Sequence, residues 1–144
     1  MSNSLMKGKR GLIMGVANNR SIAWGIAQAC ADAGAELAFT FQGEALERRV
    51  VPLADSVGSS LVMPCDVTDE ASIDAVFDKL KSQWGEIDFV VHAIAFADKD
   101  ELTGRYVDTS PGNFQMSLNI SCFSFTAICN RAEKMMPNGG SLLT

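Results

Sequence analysis

From residue 10 onward, short apolar runs alternate with segments of helical spacing, and this alternation constrains the fold more than any other feature of the sequence. Residues 10–16 are an apolar run that reaches glycine and predicts a strand. Over 21–33, Ile22, Ile26, Ala29, Cys30 and Ala33 recur at helical spacing, and Gly34 closes that helix. A second strand is expected at 36–41, a second helix at 44–56, and a third strand at 60–65 with Pro64 near its end. Thr68 is placed to cap a third helix, with Asp69 and Glu70 at its positive end and Ile73, Val76, Phe77, Leu80 and Trp84 on one stripe. Gly85 stops it. Residues 87–93 are almost wholly apolar, as a strand buried on both faces should be. After a polar loop at 98–109, Ser110 and Pro111 supply an N-cap and a proline at the first helical position. The helix they open runs to about residue 136 and ends at Pro137-Asn138-Gly139-Gly140, and residues 141–144 begin a fifth strand.

Strands and helices in strict alternation, joined by right-handed crossovers, give an α/β fold: a Rossmann-type, doubly wound parallel sheet with helices on both faces. Without repeats or linkers, the 144 residues read as a single domain. The last apolar strand would be a bare edge, so the domain reads as incomplete, truncated after about the fifth strand. The long helix is apolar on more than one face. Phe114, Leu118, Phe125, Cys129 and Ala132 form one stripe, with Ile120, Phe123 and Ile128 off it, which implies a second packing partner such as another subunit.

A formal charge of −5 opposes a phosphate polymer, which excludes nucleic acid as the expected partner. One small phosphate-bearing ligand remains compatible, because backbone amides can hold it. No apolar run reaches the ~18 residues of a membrane span, so a cytoplasmic chain with no membrane partner is expected. Cys30, Cys65, Cys122 and Cys129 show no Cys-x-x-Cys pairing and read as reduced thiols, and no metal site is expected.

The first strand runs into Gly15-Val16-Ala17-Asn18-Asn19-Arg20-Ser21-Ile22-Ala23-Trp24-Gly25. In such a turn Gly15 allows a tight bend, Ser21 can cap the helix and donate to phosphate, and Gly25 can let the helix approach the sheet. The spacing is not Gly-x-Gly-x-x-Gly, and an ordinary strand-to-helix turn with a serine cap is the other reading. Gln42 ends the second strand, where a dinucleotide fold places a ribose-contacting group. It is uncharged, and no lysine or arginine follows immediately to pair with a 2′-phosphate, which favours NADH over NADPH. Arg48 and Arg49 read as a solvated helix face. Asp66 can accept the adenine amino group with the Val67 amide beside the ring, or else cap the next helix. Ala93 to Ala97 offer small residues where the chain must pass a flat ring, and His92 reads as a satisfied core residue.

Gly15-x5-Ser21-x3-Gly25, Gln42, Asp66-Val67 and Ala93-Ile94-Ala95-Phe96-Ala97 together resemble the bacterial enoyl-acyl-carrier-protein reductases, a divergent branch of the short-chain dehydrogenase/reductase family. The resemblance covers essentially the whole chain. It implies that Gly15, Ala17, Ser21 and Ile22 contact the pyrophosphate and adjoining ribose, Gln42 the adenosine, and Asp66 and Val67 the adenine. Ala93, Ile94 and Ala95 would lie along the nicotinamide, and Phe96, Ala97 and Leu102 beside the acyl pocket. It further implies reduction of an enoyl thioester on acyl carrier protein with NADH in fatty acid biosynthesis, by a homotetramer when the protein is complete. The branch often has serine and glycine where this chain has Ala93 and Ala95. Its catalytic tyrosine and lysine, spaced Tyr-x6-Lys, follow the fifth strand. Tyr106 is the only tyrosine here and has no lysine seven residues later, so no catalytic residue is assigned and the 144 residues alone are expected to be inactive. Asn119 falls where ordinary short-chain dehydrogenases carry a water-ordering asparagine, or is a helix-surface amide. A non-catalytic nucleotide-binding module, or another short-chain dehydrogenase, remains the alternative.

Overall fold

The structure, a computed structural model, describes residues 4–144. Five strands, β1 (Arg10–Met14), β2 (Glu36–Phe41), β3 (Val62–Pro64), β4 (Phe89–His92) and β5 (Ser141–Leu143), form one sheet in the order β3-β2-β1-β4-β5. Every pairing is parallel, with Leu12 opposite Ala38 on one side and Val90 on the other. The helices are α1 (Ile22–Asp32), α2 (Glu44–Ser56), α3 (Glu70–Trp84), α4 (Pro111–Leu118) and α5 (Ser124–Ala132).

β1 lies at the centre, and its side chains alternate between the two layers. Leu12 and Met14 join Ile73, Val76, Phe77 and Leu80 of α3 and Ala127, Ile128 and Ala132 of α5. Ile13 joins Ala23, Trp24 and Ala27 of α1 and Val50 and Ala54 of α2. Burying one such side chain is worth roughly 1.5–3 kcal/mol, so the period-two pattern of a single strand anchors helices on both faces. This is the expected doubly wound Rossmann-type arrangement.

Several local expectations are corrected. β1 stops at Met14 because Gly15 turns the chain at φ 104°. The buried face of α1 is Ala23, Trp24 and Ala27, whereas Ile22 is 81% exposed and Ile26 36%. Small residues let a helix lie close on a sheet, and Trp24 then covers Phe39 at 6.3 Å between ring centres. Gly25 is not a close approach, since a Cβ there would meet nothing within 4 Å. Asp69, not Thr68, caps α3, its side chain accepting from the Ala71 amide. The 98–109 loop contains single 3-10 turns at Lys99–Glu101 and Tyr106–Asp108.

Ser110 caps the long helix as expected, its Oγ accepting from the Asn113 amide at 3.2 Å. That helix is interrupted by a π-turn at Asn119–Phe123. An extra residue rotates everything after it, so a stripe counted at 3.6 residues per turn cannot stay on one face across the turn. Ile128 and Ala132 are buried, but Phe114 and Leu118 of the expected stripe are exposed, as is Phe123. Arg131 ties α5 to α3, with Nε 2.6 Å from Asp74 and Nη2 3.9 Å from Glu70. Among the described residues, no helix is long and apolar enough to cross a membrane.

Candidate nucleotide-binding cleft

The strand order reverses direction between β1 and β4, and the crevice outside the carboxyl ends of those strands is where open α/β sheets take ligands. A cavity of about 370 Å³ occupies that place. Its walls are the ends of four strands: Gly15 to Ala17 after β1, Thr40 to Gln42 at the end of β2, Cys65 to Thr68 after β3, and Ala93 to Phe96 after β4. A second, more open cavity of about 540 Å³ shares Gly15, Ala93, Ile94 and Ala95 with the first and adds Ile22, Ile26, Leu143 and Thr144. The two cavities therefore adjoin along Gly15 and the β4 exit.

Gly15 is indispensable to this geometry. Its φ of 104° is accessible to glycine, and a Cβ built on it would collide with the Ala93 carbonyl. Ser21 behaves differently from expectation. It stands at the N-cap position of α1, but its side chain makes no bond into the helix. Oγ instead accepts from the amides of Ala17 at 2.9 Å and Asn18 at 3.0 Å, and so moulds the turn. The first-turn amides of Ile22 and Ala23 have no intrahelical acceptor and lie at the positive end of an 11-residue helix. Backbone donors converging on a glycine turn suit a phosphate oxygen.

Gln42 follows β2 directly, exposed and on the cleft wall, and no lysine or arginine is among the residues lining that cavity. Arg48 is a surface residue paired with Glu44 at 3.6 Å, as expected of a solvated face. Asp66 does not cap α3. Its Oδ1 accepts from the Thr68 hydroxyl at 2.7 Å and the Thr68 amide at 2.9 Å, and these two donors hold the carboxyl below the usual carboxylate range. Asp66 lines the first cavity, and the two Thr68 donors both bond Oδ1. Behind it, burial pushes the Cys65 thiol up to about 11, so this thiol is inert wall.

His92 is buried and fully bonded, as expected of a core residue. Nε2 lies 2.7 Å from Ser124 Oγ and Nδ1 3.0 Å from Thr144 Oγ1. Ser124 has one hydroxyl proton and donates it to the Ile120 carbonyl at 2.6 Å. It must therefore accept from Nε2–H, which leaves Nδ1 to accept from Thr144. Burial lowers the pKa of the ring and favours this neutral form.

Of the ten residues expected at the cofactor, eight line the first cavity: Gly15, Ala17, Gln42, Asp66, Val67, Ala93, Ile94 and Ala95. Ile22 lines the second, and Ser21 acts through Ala17. Of the three substrate-side candidates only Phe96 reaches a cavity, while Ala97 and Leu102 line neither. Asn119 is an exposed helix residue. Ile120 and Ser121 were not anticipated, because both owe their placement to the π-turn, which has no sequence signature.

The family model described as adh_short_C2, Enoyl-(Acyl carrier protein) reductase, matches residues 15–144. The chain is 64% identical over 143 residues to enoyl-[acyl-carrier-protein] reductase [NADH] 1 of Rhizobium meliloti, covering 99% of this chain and 53% of that protein. It therefore spans about half the length of the curated relatives it matches. The solved reductase of Anaplasma phagocytophilum, in complex with NAD, superposes with a TM-score of 0.94 at 58% identity, over 97% of this chain and 53% of that one. The Bacillus cereus reductase, solved with NADP+ and an indole naphthyridinone, gives 0.94 at 51% identity, over 97% and 55%. The chain belongs to the enoyl-(acyl carrier protein) reductase family.

Proposed function

We propose that the protein containing this chain reduces trans-2-enoyl thioesters carried on acyl carrier protein with NADH, in cytoplasmic fatty acid biosynthesis. These 144 residues are its cofactor-holding half, one incomplete Rossmann domain. The observation that carries the reading is the cleft itself: a glycine turn leading into the free first-turn amides of α1, a neutral glutamine and a carboxylate, all at the switch point between β1 and β4. Its volume is in the ~300–1,000 Å³ range of small-molecule sites. The residues present fit a dinucleotide.

Gly15, Ala17, Ser21 and Ile22 would hold the pyrophosphate, Gln42 the adenosine ribose, Asp66 Oδ2 and the Val67 amide the adenine, and Ala93 to Ala95 the nicotinamide side. When bound, NADH supplies the hydride for conjugate reduction. The chain's own residues bind and orient: Ser21 fixes the amides of the turn, and Phe96 walls the substrate side. Charge developing on the thioester oxygen needs a preorganised donor. Tyr106 is exposed and lines neither cavity, so that donor, with its lysine, would come from residues outside these 144. No lysine or arginine lines the first cavity, which supports NADH, and the relative solved with NADP+ makes NADPH the competing outcome. Exposed Phe114, Leu118 and Phe123 support a homotetramer, and a monomer by light scattering would remove that part.

The test is steady-state reduction of a crotonyl thioester by a chain extended through Tyr-x6-Lys, with each cofactor in turn. Turnover with NADH, and none by the 144 residues alone, is expected. No turnover by the extended chain, a clear preference for NADPH, or turnover by the short chain would each overturn the corresponding part.

A further inference from the structure

The π-turn at Asn119–Phe123 is fastened on two sides. From below, Ser124 takes the Ile120 carbonyl at 2.6 Å and is itself fixed by buried His92 at 2.7 Å. From above, Ser121 Oγ accepts from the Phe96 amide at 3.0 Å and points its proton at the Phe96 carbonyl at 3.2 Å. One hydroxyl thus satisfies both backbone groups of a residue that belongs to no helix or strand. Two residues further on, the Asp98 amide donates to Asn113 Oδ1 at 2.8 Å, so the loop leaving β4 is pinned to the long helix at successive points.

What Ser121 holds is a cleft wall. Phe96 is 54% exposed, yet it lines the same cavity as Ile120, the neighbour of Ser121. With the ring half exposed, the peptide orientation set by the two bonds to Ser121 fixes the direction from which it projects. We propose that Ser121 is a positioning residue for substrate specificity: its hydroxyl fixes the Phe96 backbone, and through it the wall against which the enoyl chain lies. The proposal rests on the reductase reading above.

The experiment uses the extended enzyme with crotonyl and longer enoyl thioesters and NADH. Ser121→Ala is expected to raise KM for the thioester about five- to tenfold, with kcat changed less than twofold and NADH affinity within twofold. Ser121→Thr, which keeps the hydroxyl, is expected to restore KM. In a Phe96→Ala background, Ser121→Ala is expected to add nothing, because its effect runs through that ring. Phe96→Ala alone, which leaves Ser121 intact, is expected to raise KM for the thioester by at least as much, and it keeps the proposal testable if Ser121→Ala folds poorly. Unchanged KM in Ser121→Ala, a parallel fall in NADH affinity, failure of the threonine variant, or additivity with Phe96→Ala would overturn it while leaving the reductase reading intact. No turnover by the unmodified enzyme would sink both.

Discussion

Two glycines ten residues apart in the same strand–turn–helix unit are predicted to respond oppositely to one added methyl. At Gly15 the backbone sits at φ 104°, which costs a non-glycine residue about 1–3 kcal/mol. The new Cβ also collides with the Ala93 carbonyl, which is backbone and cannot swing aside, adding about 1–3 kcal/mol of overpacking. Gly15→Ala is therefore expected to lose about 2–6 kcal/mol, a large share of a typical ~5–15 kcal/mol stability. At Gly25 the new methyl meets nothing within 4 Å, on an exposed helix position without positive φ. There alanine should gain about 0.4–1 kcal/mol by restricting the unfolded chain and improving helix propensity. Urea unfolding of both variants in the extended protein reads the difference. With a slope of ~2 kcal/mol per M, the Gly15 midpoint should fall by about 1–3 M and the Gly25 midpoint should rise slightly. A neutral Gly15→Ala, or a Gly25→Ala that loses more than about 1 kcal/mol, would refute the geometry of this glycine turn.

Ser21→Ala removes the acceptor shared by the Ala17 and Asn18 amides, and NADH affinity is expected to fall about tenfold, as for loss of one to two hydrogen bonds, with little change in melting temperature. Titration by NADH fluorescence checks it, and unchanged affinity counts against the assignment. Burial holds His92 below its ordinary value of 6.5, so the unfolded chain binds the proton first. Its contribution to stability is complete above that value and declines as pH falls toward the folded pKa. Urea midpoints at pH about 7.5 and about 5.5 should differ in the unmodified protein, and the part of that difference due to His92 should vanish in His92→Gln. With its pKa at about 11, Cys65 exposes about one thiolate in a thousand at pH 8. Iodoacetamide should leave it unmodified in the folded protein, as peptide mapping would show, and labelling as fast as an accessible thiol would contradict the burial.

The layers of the fold were legible because each strand's apolar run and each helix's stop signal act locally. Gly34, Gly85 and the Ser110-Pro111 pair end or begin elements where the sequence places them. Which face of a helix is buried was less legible. Ile22 and Ile26 are the more apolar choice, yet α1 packs through Ala23, Trp24 and Ala27, the two alanines lying close to the sheet and Trp24 covering Phe39. The strand ends line the candidate cleft, so the place of Gly15, Gln42, Asp66 and the β4 exit along it was legible from position alone. Ser21 was found for a role it does not play: a serine at an N-cap position predicts a bond into the helix, and the bond goes backward into the turn. Ile120 and Ser121 were out of reach, since a π-turn depends on tertiary anchors such as Ser124 and His92 that lie far apart in the chain.

The central claim is that the crevice between β1 and β4 is the cofactor site, and a crystal structure of the extended enzyme with NADH tests it most directly. The account predicts pyrophosphate density over the Ile22 amide at the start of α1, with the adenine between Gln42 and Asp66 and the nicotinamide beside Ala93 to Ala95. Density for the dinucleotide elsewhere, or a pyrophosphate that does not touch the turn between Gly15 and Ile22, would contradict it.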